Sequence, residues 1–286
     1  MLATNDGGAL RLRFGSLRDF VTGVTLALAD GTIARSGGRV VKNVAGYDLP
    51  KLMIGALGTL GVILEATFRL PMPVETETVC FAAQSNDAAH AFMLAVQDSS
   101  LVAIGLQLFA EHNAPPAIAV RFEGHRAGIE AQVLRLMEKS RSASVWRIAA
   151  SNEVWHSRER LWDEAEQALL MKISVEPTQL APLCSLVDRF ASAQRIHWKL
   201  VAQAFGICTL RLGVAGAAQA VAAVDKLRAE TKALGGTLVV LRCSPEAKHG
   251  IDVWGATGDA LPLMRRVKEQ FDASGTLNPH RFVGGM

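Results

Sequence analysis

The chain has 286 residues, half of them apolar and a fifth charged, with a formal net charge of +3 at pH 7. That length and apolar fraction suffice for a sizeable core in roughly two domains and exclude a disordered tail or a small disulfide-stapled scaffold. Lys and Arg are scattered and there is a single Tyr, so a basic surface with aromatic stacking positions for nucleic acid is not expected.

The first predicted elements are two antiparallel strands, residues 21–29 and 32–36, joined at Asp30-Gly31, a dipeptide that suits a two-residue hairpin turn. Asp48 is expected to cap a short helix with Pro50 in its first turn, the helix running to Gly58. Gly61 leads into a strand over residues 62–70, which ends at Pro71 and Pro73, the first expected domain boundary. A strand follows over 74–84, then a helix capped at Asn86 or Asp87 with Ala89, Phe92, Met93 and Val96 on one face. Strands are expected at 101–110, 117–124 and 143–149, and a helix bearing Ile129, Val133, Leu136 and Met137 separates the last two. A second round has strands at 169–175, 198–202, 207–214 and 238–243, with helices at 177–191 and 217–234. This alternation predicts an α+β domain, an antiparallel sheet with helices on one face. A final helix, capped by Asp259 with Ala260, Met264, Val267 and Phe271 as its stripe, ends at Gly275 before an Asn278-Pro279 turn. The expected domains are thus residues 1–73, 74–245 and 246–286.

Cys80, Cys184, Cys208 and Cys243 are widely spaced and form no C-x-x-C pair, which reads as buried free thiols in a reducing cytoplasm. The seven histidines are equally dispersed, so no metal site is expected. The most apolar tract, residues 200–224, is interrupted by Gln203, Arg211 and Gln219, which argues against a membrane span.

The glycines of residues 37–61 need an explanation, because each costs stability in an ordered element. Gly58 and Gly61 flank Thr59 and Leu60 immediately before a strand, an arrangement that leaves main-chain N–H groups able to face a ligand. No G-x-G-x-x-G or P-loop pattern accompanies them.

Three stretches together are more specific. TNDGGALRLRFGSLRDFVTGVTLALADGT (4–32), VVKNVAGYDLPKLMIGALGTLGVILEATFRL (40–70) and VKEQFDASGTLNPHRF (267–282) resemble, in order, the FAD-binding family of vanillyl-alcohol oxidase (PCMH) type. Within it the likeness is to the glycolate oxidase flavoprotein subunits, especially the GlcE-like branch, for which KNVAGYDLPKL is distinctive. The resemblance implies that residues 1–73 are the second half of a PCMH-type FAD-binding domain, that 74–245 are a substrate or cap domain, and that 246–286 return to the FAD domain. It implies FAD as cofactor, with Thr4, Asn5, Gly8, Gly15 and Asp19 along the pyrophosphate and flavin. Gly58, Thr59, Gly61 and Ile63 would bring main chain against the nucleotide, and Asn278 would return to the flavin ring. The family's F-D-P-x-G-x-L-N-P-G-R reads FDASGTLNPHR here, with Ala273 for a proline and His280 for a glycine. The family's first FAD subdomain, with its glycine-rich loop, has no counterpart, so weak FAD binding unless a partner supplies that half is expected.

The implied reaction is oxidation of a small 2-hydroxy acid, in a complex with a second flavoprotein subunit and an iron–sulfur subunit. Any membrane association would be made through those subunits. Such chemistry requires a base for the hydroxyl proton and a cation for the carboxylate. His249, in KHGIDVWG, is the candidate base, and Lys172, Lys199 and Arg211 on predicted strands are candidates for the carboxylate. Two other readings stay open: a stand-alone FAD-dependent oxidoreductase of another hydroxy acid or alcohol, and a non-catalytic interaction protein.

Overall fold

A computed structural model describes residues 1–39, 46–163 and 168–286. The chain divides into two compact units: Met1–Gly7, Phe14–Pro73 and Ala256–Met286 form the smaller, Gly8–Arg13 and Val74–Gly255 the larger. The crossing after Pro73 falls at the prolines. The return falls at Ala256 and not at 246, because Ala247 and Ile251 are buried in the core of the larger unit.

In the smaller unit β1 (Val21–Ala27) lies between β2 (Ile33–Gly37) and β3 (Val62–Phe68), antiparallel to both. Their hairpin is not the two-residue turn expected. The Gly31 N–H donates to Leu28 O at 3.0 Å and the Leu28 N–H to Thr32 O at 2.9 Å, with Gly31 at φ +84°. This is a three-residue loop, a type I turn closed by a left-handed glycine, and it needs positive φ at one residue only. Asp30 Oδ1 accepts from the Thr32 N–H at 2.9 Å and fixes it. The core joins Val21, Val24 and Leu26 of β1 to Met53, Ile54, Ala56 and Leu60, with Val267 and Phe271 of the helix Leu261–Phe271 packed against them. That helix starts from Ala260, not Asp259, since Pro262 occupies its first turn, where a missing N–H has no partner to lose.

The larger unit holds an eight-stranded sheet, antiparallel throughout. Its strands are β4 (Glu75–Ala83), β5 (Gly105–Glu111), β6 (Ala117–Gly124), β7 (Val145–Ile148), β8 (Ala168–Ser174), β9 (Trp198–Gln203), β10 (Ile207–Gly213) and β11 (Thr237–Arg242). They are ordered β11-β8-β10-β9-β5-β6-β4-β7. Alternate strand residues, among them Phe81, Leu108, Val120, Met171, Leu200 and Leu210, form one core with the helices Asn86–Gln97, Arg126–Ser140, Leu180–Gln194 and Ala217–Ala233. The first of these is capped by Ser85, whose side chain accepts from the Ala88 N–H, and not by Asn86 or Asp87. The strand expected from 101 begins at Gly105.

Several helices were not expected, among them Leu17–Phe20, Ser157–Asp163 and Pro245–Lys248. Leu161 of Ser157–Asp163 clusters with Leu170 and Val201, which alternate with core residues and so lie on the other sheet face.

All four cysteines are free thiols. Burial pushes the Cys184 thiol up to about 12 and raises Cys208 well above its ordinary value. Neither is a nucleophile in the folded protein. At pH 8 iodoacetamide is expected to leave both unmodified in native protein and to alkylate both in urea. Peptide mass mapping checks this, and native labelling of either would contradict the packing.

Candidate cofactor site

The site is built where the chain leaves the helix Leu49–Met53, which stops five residues short of Gly58. It stops there because Gly55, Leu57 and Gly58 take φ of +89°, +54° and +73°, left-handed values that no α-helix continues through. The loop is stitched to the first residues of the chain: the Gly55 N–H donates to Leu2 O at 3.0 Å and the Leu57 N–H to Ala3 O at 2.8 Å. Arg18 Nε donates to Ile54 O at 2.9 Å. Thr59 folds back on the same loop, its N–H and its hydroxyl both donating to Ala56 O, at 3.0 and 2.7 Å.

The C-terminal turn holds the loop from the other side. Asn278 Nδ2 donates to Leu57 O at 2.7 Å. A Cβ on Gly58 would come within 2.9 Å of that same nitrogen, so Gly58 is bare because Asn278 occupies the space. Three residues before the helix end at Phe271, Lys268 Nζ donates to Thr59 O at 2.8 Å and to Leu277 O at 3.1 Å, and pairs with Asp272. Asp272 is 3% exposed. Its carboxylate accepts from the N–H groups of Thr276 (3.0 Å) and Leu277 (2.7 Å) and from the Thr276 hydroxyl (3.0 Å). Burial opposes its ionisation, but the Lys268 ammonium and those N–H donors outweigh burial and hold its carboxyl far below the usual carboxylate range.

Of the residues singled out in the sequence, Asn5, Gly58, Thr59 and Asn278 meet around this loop. Asn5 sits at φ +48° beside Gly55, and its Oδ1 is buried with no hydrogen-bond partner among the described residues. Thr59 has its N–H, hydroxyl and carbonyl all engaged within the protein, so it shapes the turn and offers no free group. Asp19 caps the helix Leu17–Phe20, accepting from the N–H and hydroxyl of Ser16, and a Cβ on Gly15 would lie 2.6 Å from its Oδ2. The Thr4 hydroxyl donates to Met1 O at 3.0 Å. Gly61 and Ile63 are packed toward Ala27, Leu28 and the core. Gly8 belongs to the larger unit. So does His249, which is exposed at the end of the helix Pro245–Lys248. In the same unit Arg211 pairs across strands with Lys199, and Lys172 with Thr209, all on the sheet face opposite the main core. Residues 40–45 of the distinctive KNVAGYDLPKL region, and its flank, lie outside the described residues.

Lys268 and Asp272 were not anticipated. A Lys and an Asp at i,i+4 astride the end of an amphipathic helix, four residues short of L-N-P, was the available signal.

These features fit a nucleotide held by main chain. Of the six described non-glycine residues with positive φ, four, Asn5, Leu57, Asn278 and His280, lie in the smaller unit. Three of them surround this loop, and such strained backbone clusters at binding sites. The buried, unpaired Asn5 carbonyl awaits a donor.

No family model matches the chain. Among curated proteins it is 27% identical over 317 residues to D-2-hydroxyglutarate dehydrogenase of Xanthomonas citri pv. viticola, covering 97% of this chain and 66% of that protein. It is 45% identical over 86 residues to glycolate oxidase subunit GlcD of Bacillus subtilis (30% of this chain, 18% of that protein). To subunit GlcE of Escherichia coli it is 47% identical over 74 residues (26% of this chain, 21% of that protein). The chain is similar to FAD-dependent oxidoreductases of the 2-hydroxy-acid type. The fold agrees: alkyldihydroxyacetonephosphate synthase superposes with a TM-score of 0.69 at 15% identity, covering 98% of this chain and 58% of that one. The chain thus spans about two thirds or less of the length of the relatives it matches.

The resemblance bears on one oddity of the C-terminal turn. His280 has φ +62°, where the family pattern carries glycine. Returning it, His280→Gly, is expected to relieve roughly 1 kcal/mol of left-handed strain. Chemical denaturation would register the gain, and a loss of stability would show that the imidazole makes a contact worth more than the strain.

Proposed function

We propose that this chain is the FAD-binding part of an oxidoreductase that oxidises a small 2-hydroxy acid, working as a subunit of a glycolate oxidase-like assembly. The observation that carries it is the convergence of the Gly58 turn, Asn5 and the Asn278 turn on one loop in a chain whose relatives include a 2-hydroxy-acid dehydrogenase and two glycolate oxidase subunits. Asn5, the Gly58 and Leu60 N–H groups and the Asn278 turn would hold the nucleotide, with Gly15 and Asp19 shaping the entry to β1. The flavin, when bound, supplies the hydride acceptor.

The chain's own contribution to substrate is charge. Lys199 and Arg211 stand directly opposite each other across β9 and β10, on the sheet face away from the main core. With Lys172 they would hold the carboxylate of the hydroxy acid. His249 would take the hydroxyl proton only if substrate reaches its exposed turn. A second flavoprotein subunit and an iron–sulfur subunit would complete the assembly and carry electrons away.

Titration with FAD tests the reading, both on the purified chain and on the chain co-expressed with its candidate partner subunits. A rise in unfolding temperature and quenching of flavin fluorescence, followed by flavin bleaching on adding glycolate or D-lactate, are the expected results. A colourless protein in both preparations, unmoved by FAD, would refute it.

A further inference from the structure

We infer that Lys268 is a positioning residue for the cofactor-facing turn: its ammonium sets the direction of the Thr59–Leu60 peptide and so presents the Leu60 N–H to an acceptor oxygen of the nucleotide. The identity of that ligand rests on the FAD reading above; the geometry does not.

A lysine ammonium has three donors and no acceptor. Here all three point inward, to Thr59 O, Leu277 O and the Asp272 carboxylate, on a side chain only 12% exposed. Lys268 is therefore not an anion-binding group. What it does is join two turns, one near residue 59 and one near 277, through one buried charge. In a planar trans peptide the C=O and the following N–H point in opposite directions. Holding Thr59 O toward Lys268 thus turns the Leu60 N–H away from it. Asn278 does the same one peptide earlier: it holds Leu57 O, so the Gly58 N–H faces away from the Asn278 side chain. Among the described residues neither the Gly58 nor the Leu60 N–H has a main-chain acceptor. Two N–H groups, two residues apart and both oriented by the C-terminal segment, form the kind of concavity that binds an oxygen anion or carbonyl.

The test uses the full chain with Lys268→Met and Lys268→Arg. Hydrogen exchange of the ligand-free protein reads the turn directly, because the Leu57 and Thr59 N–H groups are bonded to Ala3 O and Ala56 O. In Lys268→Met, exchange at these two amides is expected to rise, and FAD affinity to fall, each by about tenfold or more, as for one lost charge-assisted hydrogen bond. Exchange in β5 of the larger unit should not change, and Lys268→Arg should restore part of the protection. Unchanged exchange at Thr59, or raised exchange with undiminished FAD affinity, would overturn the inference. Should wild type show no response to FAD, the cofactor reading fails, while the ligand-free exchange still decides whether Lys268 fixes the turn. If Lys268→Met does not fold, Lys268→Met/Asp272→Leu removes the same tie without leaving a buried unpaired carboxylate, and the same two amides are read.

Discussion

Gly206→Ala is expected to destabilise the larger unit by more than about 3 kcal/mol, the sum of left-handed strain and backbone overpacking. Gly206 lies in the turn between β9 and β10 at φ +86°. Its N–H donates to Gln203 O at 2.9 Å and its carbonyl accepts from the Val175 N–H at 3.0 Å, tying the end of β8 to this turn. An added Cβ would stand 1.9 Å from Val175 O, with Val175 C and Pro177 N next nearest. All three neighbours are main chain, so no rotamer change relieves the clash and the β8 to β10 edge must move. Gly235→Ala is the matched control. It has φ +73° but open space around the position, and about 1 kcal/mol is expected from strain alone. Urea midpoints followed by circular dichroism compare the two. Near-equal losses would show that the turn yields freely. Because β9 and β10 carry Lys199 and Arg211, Gly206→Ala should also impair any carboxylate binding by that sheet face.

The sequence was most legible where local chemistry alone decides the structure. Asp30-Gly31 marks a hairpin whatever surrounds it, and the apolar stripe Ala89, Phe92, Met93, Val96 marks a helix whatever it packs on. Ends of elements were less legible, because Ser85 and Asn86 are equally good caps by type and only the observed N–H geometry separates them. The helix Ser157–Asp163 was invisible: SRERLWD is mostly charged, and Leu161 becomes a core residue only because Leu170 and Val201 present an apolar patch on the far side of the sheet. The site divides the same way. Gly58 and Asn278 were found through motifs, but their mutual contact was not, since it joins residues 221 apart from Leu57 onward. Lys268 and Asp272 were passed over because charges on an amphipathic helix ordinarily face water, and nothing local reveals that two carbonyls from separate turns draw this ammonium inward.

That inward charge makes Asp272 the most consequential side chain of the smaller unit. Asp272→Ala strips five donors (Lys268 Nζ, the Ser274 hydroxyl, the Thr276 N–H and hydroxyl, and the Leu277 N–H) of their acceptor and leaves Lys268 buried without its counter-charge. Breaking one side of a buried pair costs about 3 kcal/mol or more. Asp272→Asn is expected to lose nearly as much, because its NH2 must face either the Lys268 ammonium and Leu277 N–H, in place of Oδ2, or the Thr276 N–H, in place of Oδ1, a donor against a donor. Lys268→Met in the Asp272→Ala background should cost less than it does alone, since the two side chains act as one unit. The pH dependence follows from the depressed carboxyl. A group whose folded pKa lies below its unfolded value contributes stability that is complete above the unfolded value, about 3.9, and is lost as pH falls below it toward the folded value. Wild type should therefore lose stability between about pH 4 and pH 2 more steeply than Asp272→Asn, the two curves converging in acid. Parallel curves across that range would mean that the Asp272 carboxylate is not held by Lys268 and the 276–277 amides, and the Gly58 turn would then lack the anchor that orients it.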